Sequence, residues 1–446
     1  MKLIYDVQDK PAVSQRIVYA FQQVLAIMAA TIAVPMIIGN GMSAAAALFG
    51  AGMGTLTYIL FTQFKSPVFL GSSFAFLGSM SAAFAGAVSV QAGFAGLIFG
   101  AFCAGMVYVL IAMTVKAIGT GWIDRLMPPV VIGPTVSIIG LSLAGNAIGD
   151  LQRSSATGET TQIAVLCGLI ALFVTMLCST YGRRQVRLIP FIIGILAGYA
   201  AAAVFTIIGN TTGNPALCII DFSPIKALTA GGISLHTFIQ VPDFTFLKAS
   251  QGLADLDAGY LGTVAVAYVP VAFVVFAEHI ADHKNISSII DHNLLENPGL
   301  SRTLLGDGIG SIIGAFFGGC PNTTYGESVA CVAITRNASV VTILTAAAEC
   351  ILISFLSPFV AFISSIPACV MGGVCMALYG FIAVSGLKMI QGVNLDSNRN
   401  LFVVSTILIT GIGGLALTFG RVTVTSVACA LILGIIVNRM LSKEPE

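Results

Sequence analysis

Charge is what this chain has least of. Of its 446 residues, 9% are Asp, Glu, Lys or Arg and 57% are hydrophobic. A soluble domain carries about 25% charged residues. The 20 basic and 19 acidic side chains cannot cover a soluble surface of this size. That excludes an ordinary cytosolic enzyme and a disordered chain. A net charge of +1 exerts no pull on polyanions, which excludes a nucleic-acid binder. Cysteine pairing is missing too. The ten cysteines are scattered, mostly inside apolar stretches, without metal spacing or a paired framework. They read as small buried hydrophobes. No HExxH arrangement occurs, so neither a metal nor a cofactor is expected. The apolar runs are too long and do not alternate, which excludes a spanning β-barrel. Met1 to Pro11 carries Lys2, Asp6, Asp9 and Lys10 ahead of any apolar run, and does not read as a cleaved signal peptide.

What the chain does have is a series of charge-free runs. Forty-eight residues separate Arg16 from Lys65, and 50 separate Lys65 from Lys116. One helix needs about 20 apolar residues to cross a bilayer. Each run therefore holds two spans and a turn, at Asn40-Gly41 and between Gly86 and Gly93. Further runs lie at 128–148, 161–181, 188–208, 258–281, 303–319, 339–364, 368–387, 401–419 and 422–438, with a short, interrupted segment at 321–336. The reading is an all-α polytopic membrane protein of fourteen segments. With the N-terminus inside, sixteen basic residues fall in inside loops, among them Lys2, Lys65, Lys116, Arg184, Lys284, Arg336, Lys388 and Lys443. Only Arg153, Lys226, Lys248 and Arg421 fall outside. This asymmetry predicts a multi-pass protein of the inner or plasma membrane with both termini cytoplasmic.

Two halves are visible. Segment 5 opens Pro128-Pro129-Val130-Val131-Ile132-Gly133, and segment 12 opens Pro367-Ala368-Cys369-Val370-Met371-Gly372 with the same Pro-to-Gly spacing. Segment 3 opens with Gly71-Ser72-Ser73-Phe74-Ala75-Phe76. Segment 10 opens with Gly318-Gly319-Cys320-Pro321-Asn322-Thr323-Thr324-Tyr325-Gly326. Both pairs are seven segments apart, which favours a seven-plus-seven inverted repeat. Helix packing accounts for most of the 48 glycines. It does not account for Pro, Asn, two Thr and Tyr in succession. Such a stretch strands backbone groups, which is tolerated only inside protein or along a cavity.

Acids inside membrane segments are costly and mark function by default. Segment 8 ends Phe276-Ala277-Glu278-His279-Ile280-Ala281-Asp282-His283; segments 9, 10 and 11 carry Asp307, Glu327 and Glu349. On a helix, Glu278 and Asp282 share one face, and His279 and His283 the neighbouring face. Glu327 follows the broken stretch where a half-helix would begin, near a positive dipole end and free N–H groups. His283 reads as interfacial, Glu349 as a structural or lipid-shielded acid, and Asp307 as capping or pairing within the bundle. Glu278 and Glu327 read as a substrate or proton site. Two carboxylates facing a cavity accept hydrogen bonds from a ligand's N–H groups and bind protons reversibly. Backbone N–H groups at the broken segments donate to ligand carbonyls, and Phe74 or Phe76 offers a ring face. A small, flat, neutral ligand with alternating N–H and C=O groups matches, and a nucleobase fits. A membrane-embedded metalloenzyme built on His279, His283 and nearby acids is the alternative from another class.

The stretches Ala277-Glu278-His279-Ile280, Pro321-Asn322-Thr323-Thr324-Tyr325-Gly326-Glu327 and Gly71-Ser72-Ser73-Phe74-Ala75-Phe76 resemble the uracil-permease branch of the nucleobase–ascorbate transporter family. Gly119-Thr120-Gly121-Trp122-Ile123-Asp124, Pro128-Pro129 and Leu378-Tyr379-Gly380 are similar as well, so the likeness runs along essentially the whole chain in order. The resemblance implies a uracil:proton symporter, with short antiparallel strands in segments 3 and 10 and the base held between them. It implies a core domain of segments 1–4 (12–125) and 8–11 (256–365), and a gate domain of segments 5–7 (126–255) and 12–14 (366–446). Glu278 and Glu327 would hydrogen-bond uracil, Phe74 would stack on it, Tyr325 and Gly326 would line the site, and Tyr379 would approach from the gate. Glu278, Asp282, Glu327 and His279 are the candidates for proton coupling. Partners would be uracil, protons, membrane lipid and a second copy in a homodimer. Glu327 matches uracil carriers; xanthine and urate carriers resemble each other in having Gln there, and a nucleobase other than uracil is the alternative substrate. Ser328 and Ala330 stand where the family signature has Asn and Gly. Gln22-Gln23 replaces Gln-His, and Asp282 occupies the place of a second His.

Overall fold

Local chemistry sets where the helices begin. Ser43, Ser89, Thr161 and Asp257 are N-caps whose side chains accept the N–H of Ala46, Ala92, Ala164 and Tyr260. Such a cap contributes about 1 kcal/mol. The chain is seen in a computed structural model that describes residues 3–183, 186–419 and 422–442. The topology markers Lys2, Arg184, Arg421 and Lys443 lie outside the described residues, as does the end of the last expected domain.

A helix occupies each of the fourteen apolar segments. Segment 1 is Val13–Ile38, segment 2 Ala44–Phe61, segment 4 Val90–Ile118, segment 6 Gln162–Tyr181 and segment 7 Pro190–Thr212. Segment 5 is Pro129–Ser142 continued by Ala144–Gln152. Segment 8 is Ala258–Ile290, segment 9 Leu300–Gly318, segment 11 Val340–Ile353, segment 12 Ala368–Met389, segment 13 Asn398–Ile412 and segment 14 Ser426–Met440. Among the described residues, eight helices are long and apolar enough to cross a membrane: segments 1, 2, 4 to 8 and 12. Leu110, Met113, Phe173, Leu177 and Ile207 on these helices face outward, as a hydrocarbon surround requires.

Three of the expected runs shift: 339–364, 401–419 and 422–438. The run at 339–364 breaks at Ser354 into two helices, Val340–Ile353 and Ser357–Ser364, because Pro358 cannot extend the first. The run at 401–419 stops being helical at Ile412. Its end forms strand β3 (Leu417–Phe419), paired antiparallel with β4 (Val422–Val424) ahead of segment 14.

Segments 3 and 10 are broken as expected. Segment 3 is strand β1 (Leu70–Ser72), a single 3-10 turn and helix Leu77–Gly86. Segment 10 is strand β2 (Asn322–Thr324) and helix Gly326–Thr335. The strands pair antiparallel, Leu70 with Thr324, Gly71 with Thr323 and Ser72 with Asn322. Ser73 N–H donates to Pro321 O at 2.9 Å and Tyr325 N–H to Phe69 O at 3.3 Å, extending the ladder. Pairing satisfies the backbone groups that two interrupted helices leave open.

Segments 2 and 9 clamp this crossing. Thr55 Oγ1 accepts Leu70 N–H at 2.9 Å, and Asn322 Nδ2 donates to Gly50 O at 3.0 Å. The Ser311 hydroxyl donates to Asn322 O. A Cβ at Gly314 would collide with the Asn322 amide, so glycine is what lets segment 9 lie this close to β2. Segment 9 also packs on segment 4, segment 11 on segments 1 and 2, and segment 8 on segment 4. Segment 12 packs on segments 5 and 6, segment 6 on segment 7, and segment 13 on segments 5 and 14.

Candidate functional site

Segment 8 presents two chemically different faces. Glu278 and Asp282, one turn apart, border a cavity; His279 and His283, about 100° round the helix, do not line it. Both imidazoles are fully buried. His279 Nδ1 lies 2.7 Å from Asp307 Oδ2 of segment 9, and its Nε2 lies 3.0 Å from Thr303 Oγ1. A neutral ring that donates from Nδ1 to the carboxylate accepts at Nε2 from the hydroxyl. His283 Nδ1–H donates to His279 O at 2.8 Å, leaving Nε2 to accept from Tyr58 OH at 2.7 Å. Tyr58 in turn lies 2.6 Å from Ser66 Oγ. The two imidazole rings stack with centroids 3.9 Å apart. His283 is therefore not the interfacial residue expected from its neighbours Asp282 and Lys284. Tyr58, from segment 2, supplies the polar partner that lets it be buried. Asp307 pairs within the bundle, as its surroundings suggested. Both carboxylate oxygens of Glu349 are shielded and have no hydrogen-bond partner among the described residues.

Segment 10 brings its half-helix to the same cavity. A helix start leaves N–H groups unpaired, and the side chain of the N-cap residue, Tyr325, does not cap this one. Thr324 Oγ1 donates to Asp282 Oδ2 at 2.7 Å, tying segment 8 to β2. A Cβ at Gly326 would stand 4.0 Å from Asp282 Oδ1, and Glu327 occupies the first helical turn. Glu278, Asp282, Gly326 and Glu327 all line the cavity. Two positions that depart from the family signature meet just behind it. Gln23 Nε2 donates to Ser328 Oγ, and the same oxygen accepts Phe69 N–H at 3.0 Å. Segment 1, the entry to β1 and the half-helix of segment 10 thus share one hydroxyl.

The cavity measures about 260 Å³. Its other wall comes from segments 5, 6, 7 and 12: Val136, Ser179, Phe191, Phe381, Ile382 and Ser385. Arg187, between segments 6 and 7, borders it as well. The Phe191 and Phe381 rings meet edge to face at 5.9 Å. Sequence reasoning did not find this wall. Ser179 and Ser385 are single hydroxyls in apolar helices, and no local signal separates them from packing residues.

The remaining expected residues sit elsewhere. Phe74 and Tyr379 do not line this cavity; both are buried and contact each other edge to face, centroids 5.5 Å apart. Tyr379 lies less than a turn before Phe381 on segment 12. Tyr325 is also buried. Its OH donates to Ser72 O at 2.7 Å and its ring covers Gly71, where a Cβ would strike it. Phe76 stacks on Tyr268 at 5.4 Å and is fully buried, so it offers no free face. The Ser73 and Thr323 hydroxyls at the strand crossing are buried, with no hydrogen-bond partner among the described residues.

The family model Xan_ur_permease, described as a permease family, matches residues 14–419. The chain is 36% identical to the uracil permease of Bacillus caldolyticus over 100% of this chain and 96% of that one. It is 34% identical to the uracil permease of Escherichia coli K12 over 96% of this chain and 92% of that one. Among solved structures, the transmembrane domain of a cyanobacterium bicarbonate transporter, BicA, matches with TM-score 0.64 at 14% identity, over 97% of this chain and 100% of that one. SLC26A9 matches with TM-score 0.63 at 11% identity, over 96% of this chain and 65% of that one. These two share the fold alone, that of an all-helical polytopic membrane protein. By its family match and its identity to relatives over nearly their whole lengths, the chain belongs to the Xan_ur_permease permease family, multi-pass membrane transporters rather than enzymes.

Proposed function

We propose that the chain imports uracil with protons across the cell membrane by alternating access. One observation carries this reading: Glu278, Asp282 and Glu327 share a cavity with the start of a half-helix. Uracil presents two N–H donors and two carbonyl acceptors. Glu278 and Glu327 accept the N–H groups, and first-turn N–H groups of segment 10 donate to the carbonyls. Gly326, lacking a side chain, lets the base approach the backbone, with Tyr325 behind it. The names of the relatives supply the substrate. Glu278, Asp282 and Glu327 take up and release the coupled protons. His279 contributes by fixing segment 8 through Asp307.

The architecture in this reading is fourteen spans in two inverted repeats of seven. The core domain is 12–125 with 256–365, and the gate domain is 126–255 with 366–446. Packing supports the division: segment 9 on 4 mirrors segment 2 on 11, and segment 4 on 8 mirrors segment 11 on 1. The positive-inside rule puts both termini in the cytoplasm, so the cavity beside Arg187 faces inward. Phe74 stacks on the base once Tyr379 withdraws with the gate. The protein works as a homodimer.

Radiolabelled uracil uptake into cells lacking their own permease tests this. Uptake should appear with the chain, collapse with a protonophore and be lost in Glu327→Gln. Protonophore-insensitive uptake refutes the coupling. Stronger competition by xanthine or urate than by unlabelled uracil refutes the substrate.

A further inference from the structure

Residues 4–9, ahead of segment 1, are not a free tail. Ile4 N–H and Tyr5 N–H donate to Arg336 O at 2.8 and 3.3 Å. Ala338 N–H donates to Tyr5 O at 2.9 Å, and Val340 N–H to Val7 O at 3.0 Å. Tyr5 and Asn337 thus form a parallel bridge. Ser339 Oγ donates to Asp9 O at 2.6 Å. Val7 is buried in the hydrophobic core. The segment covered in this way, 336–340, is the elbow that follows the half-helix carrying Glu327.

The same stretch reaches the other broken segment. Gln8 Nε2 donates to Phe64 O at 2.9 Å, in the loop that feeds β1. Tyr5 OH donates to Gln15 Oε1 of segment 1 at 2.6 Å. Residues 4–9 therefore tie the approach to β1, the far end of the segment 10 half-helix and the start of segment 1. All these partners belong to the helix group that holds Glu278 and Glu327. None belongs to segments 5–7 or 12–14.

A ten-residue half-helix with no cap from its N-cap side chain is weakly held by itself. Its start is fixed by the strand pair. Its end is fixed by the Arg336–Val340 elbow and whatever braces that elbow. We propose that residues 4–9 are a strap that positions Glu327 for substrate binding and stays docked throughout transport. Val7 is its positioning residue, and Tyr5 contributes through its backbone N–H and C=O. The proposal rests on the reading of Glu327 as a substrate ligand.

The test compares the full chain with a variant whose residues 3–9 are replaced by Gly and Ser at equal length. Both are reconstituted in lipid nanodiscs and probed with uracil. The variant should raise the uracil Kd and the uptake KM about tenfold or more, with kcat changed less than twofold. Val7→Asp should reproduce the loss and Val7→Ile should not. Hydrogen exchange should quicken over 326–340 and stay unchanged over 368–389. A Tyr5→Cys, Asn337→Cys pair, once oxidised, should transport as well as when reduced. Parental Kd and parental exchange in the Gly/Ser variant overturn the positioning role. Uptake blocked by the oxidised pair alone overturns permanent docking. Unchanged uracil binding in Glu327→Gln refutes the substrate reading instead, and the exchange measurement still decides the strap.

Discussion

Ser328→Ala should destabilise this protein far more than the loss of one hydroxyl suggests. The Ser328 oxygen accepts two donors, Phe69 N–H at 3.0 Å and the Gln23 side-chain amide. Phe69 is fully buried and Gln23 nearly so, so neither donor can turn to water. An orphaned buried donor costs roughly 1–3 kcal/mol, so the substitution should cost about 2–6 kcal/mol. The damage is local to the site. Phe69 O accepts Tyr325 N–H, so loosening Phe69 loosens the end of the β1–β2 ladder. The double variant Gln23→Leu, Ser328→Ala removes one donor together with the acceptor. It should recover about 1–3 kcal/mol, leaving only Phe69 N–H unpaired. Reversible unfolding in mixed micelles, with uracil Kd measured alongside, reads both effects. A single variant within about 0.5 kcal/mol of the parent refutes the reasoning, that being the scale of a neutral surface change. So does a double variant no more stable than the single one.

Three further predictions follow from the packing and the loops. Asp307→Leu removes the carboxylate that accepts from His279 Nδ1 at 2.7 Å and should cost about 1–3 kcal/mol, the scale for an orphaned buried donor; a melting temperature equal to the parent's would contradict the pairing. Gly314→Ala puts a methyl against the Asn322 amide and should cost about 1–3 kcal/mol by overpacking. Its thermal unfolding should fall below that of Gly380→Ala, which meets open space. Asp221, in the loop after segment 7, has its carboxyl held below the usual aspartate range, chiefly by the Ser223 N–H and then by the Ser223 hydroxyl. A lowered value stabilises the fold above the unfolded pKa, and that contribution fades as pH falls through the folded one. The parent should therefore exceed Asp221→Asn by a constant margin from pH 7 to pH 5 and converge with it only in stronger acid. A margin that grows as pH falls from 7 to 5 would reverse the assigned sign.

Part of the site was legible because its chemistry breaks a simple background. A carboxylate in an apolar helix, or Pro-Asn-Thr-Thr-Tyr where a helix should run, stands out without any neighbour being known. Glu278, Asp282 and Glu327 were found that way and Gly326 through the family resemblance, and all four line the cavity. Phe191, Phe381, Ile382 and Val136 were not found, because an apolar residue on an apolar helix looks the same facing lipid, core or ligand. Ser328 and Gln23 each looked like an isolated departure from a family pattern. Only side-chain contact across more than 300 residues of chain shows them to be one hydrogen-bonded unit.

The sequence by itself determined that this is a helical membrane protein, and where most of its helices lie. Bilayer thickness sets the length of each charge-free run, and a run's length and charge are properties of consecutive residues. Sequence also determined that Glu278 and Asp282 share one helix face and His279 and His283 another, since that follows from the helical repeat. It did not determine which face meets the cavity. Asp307 and Thr303 of segment 9 and Tyr58 of segment 2 decided that, by offering hydrogen bonds that two buried imidazoles need. Burying a polar ring is tolerable only against such partners. Partners brought from other segments exist only once the chain has folded.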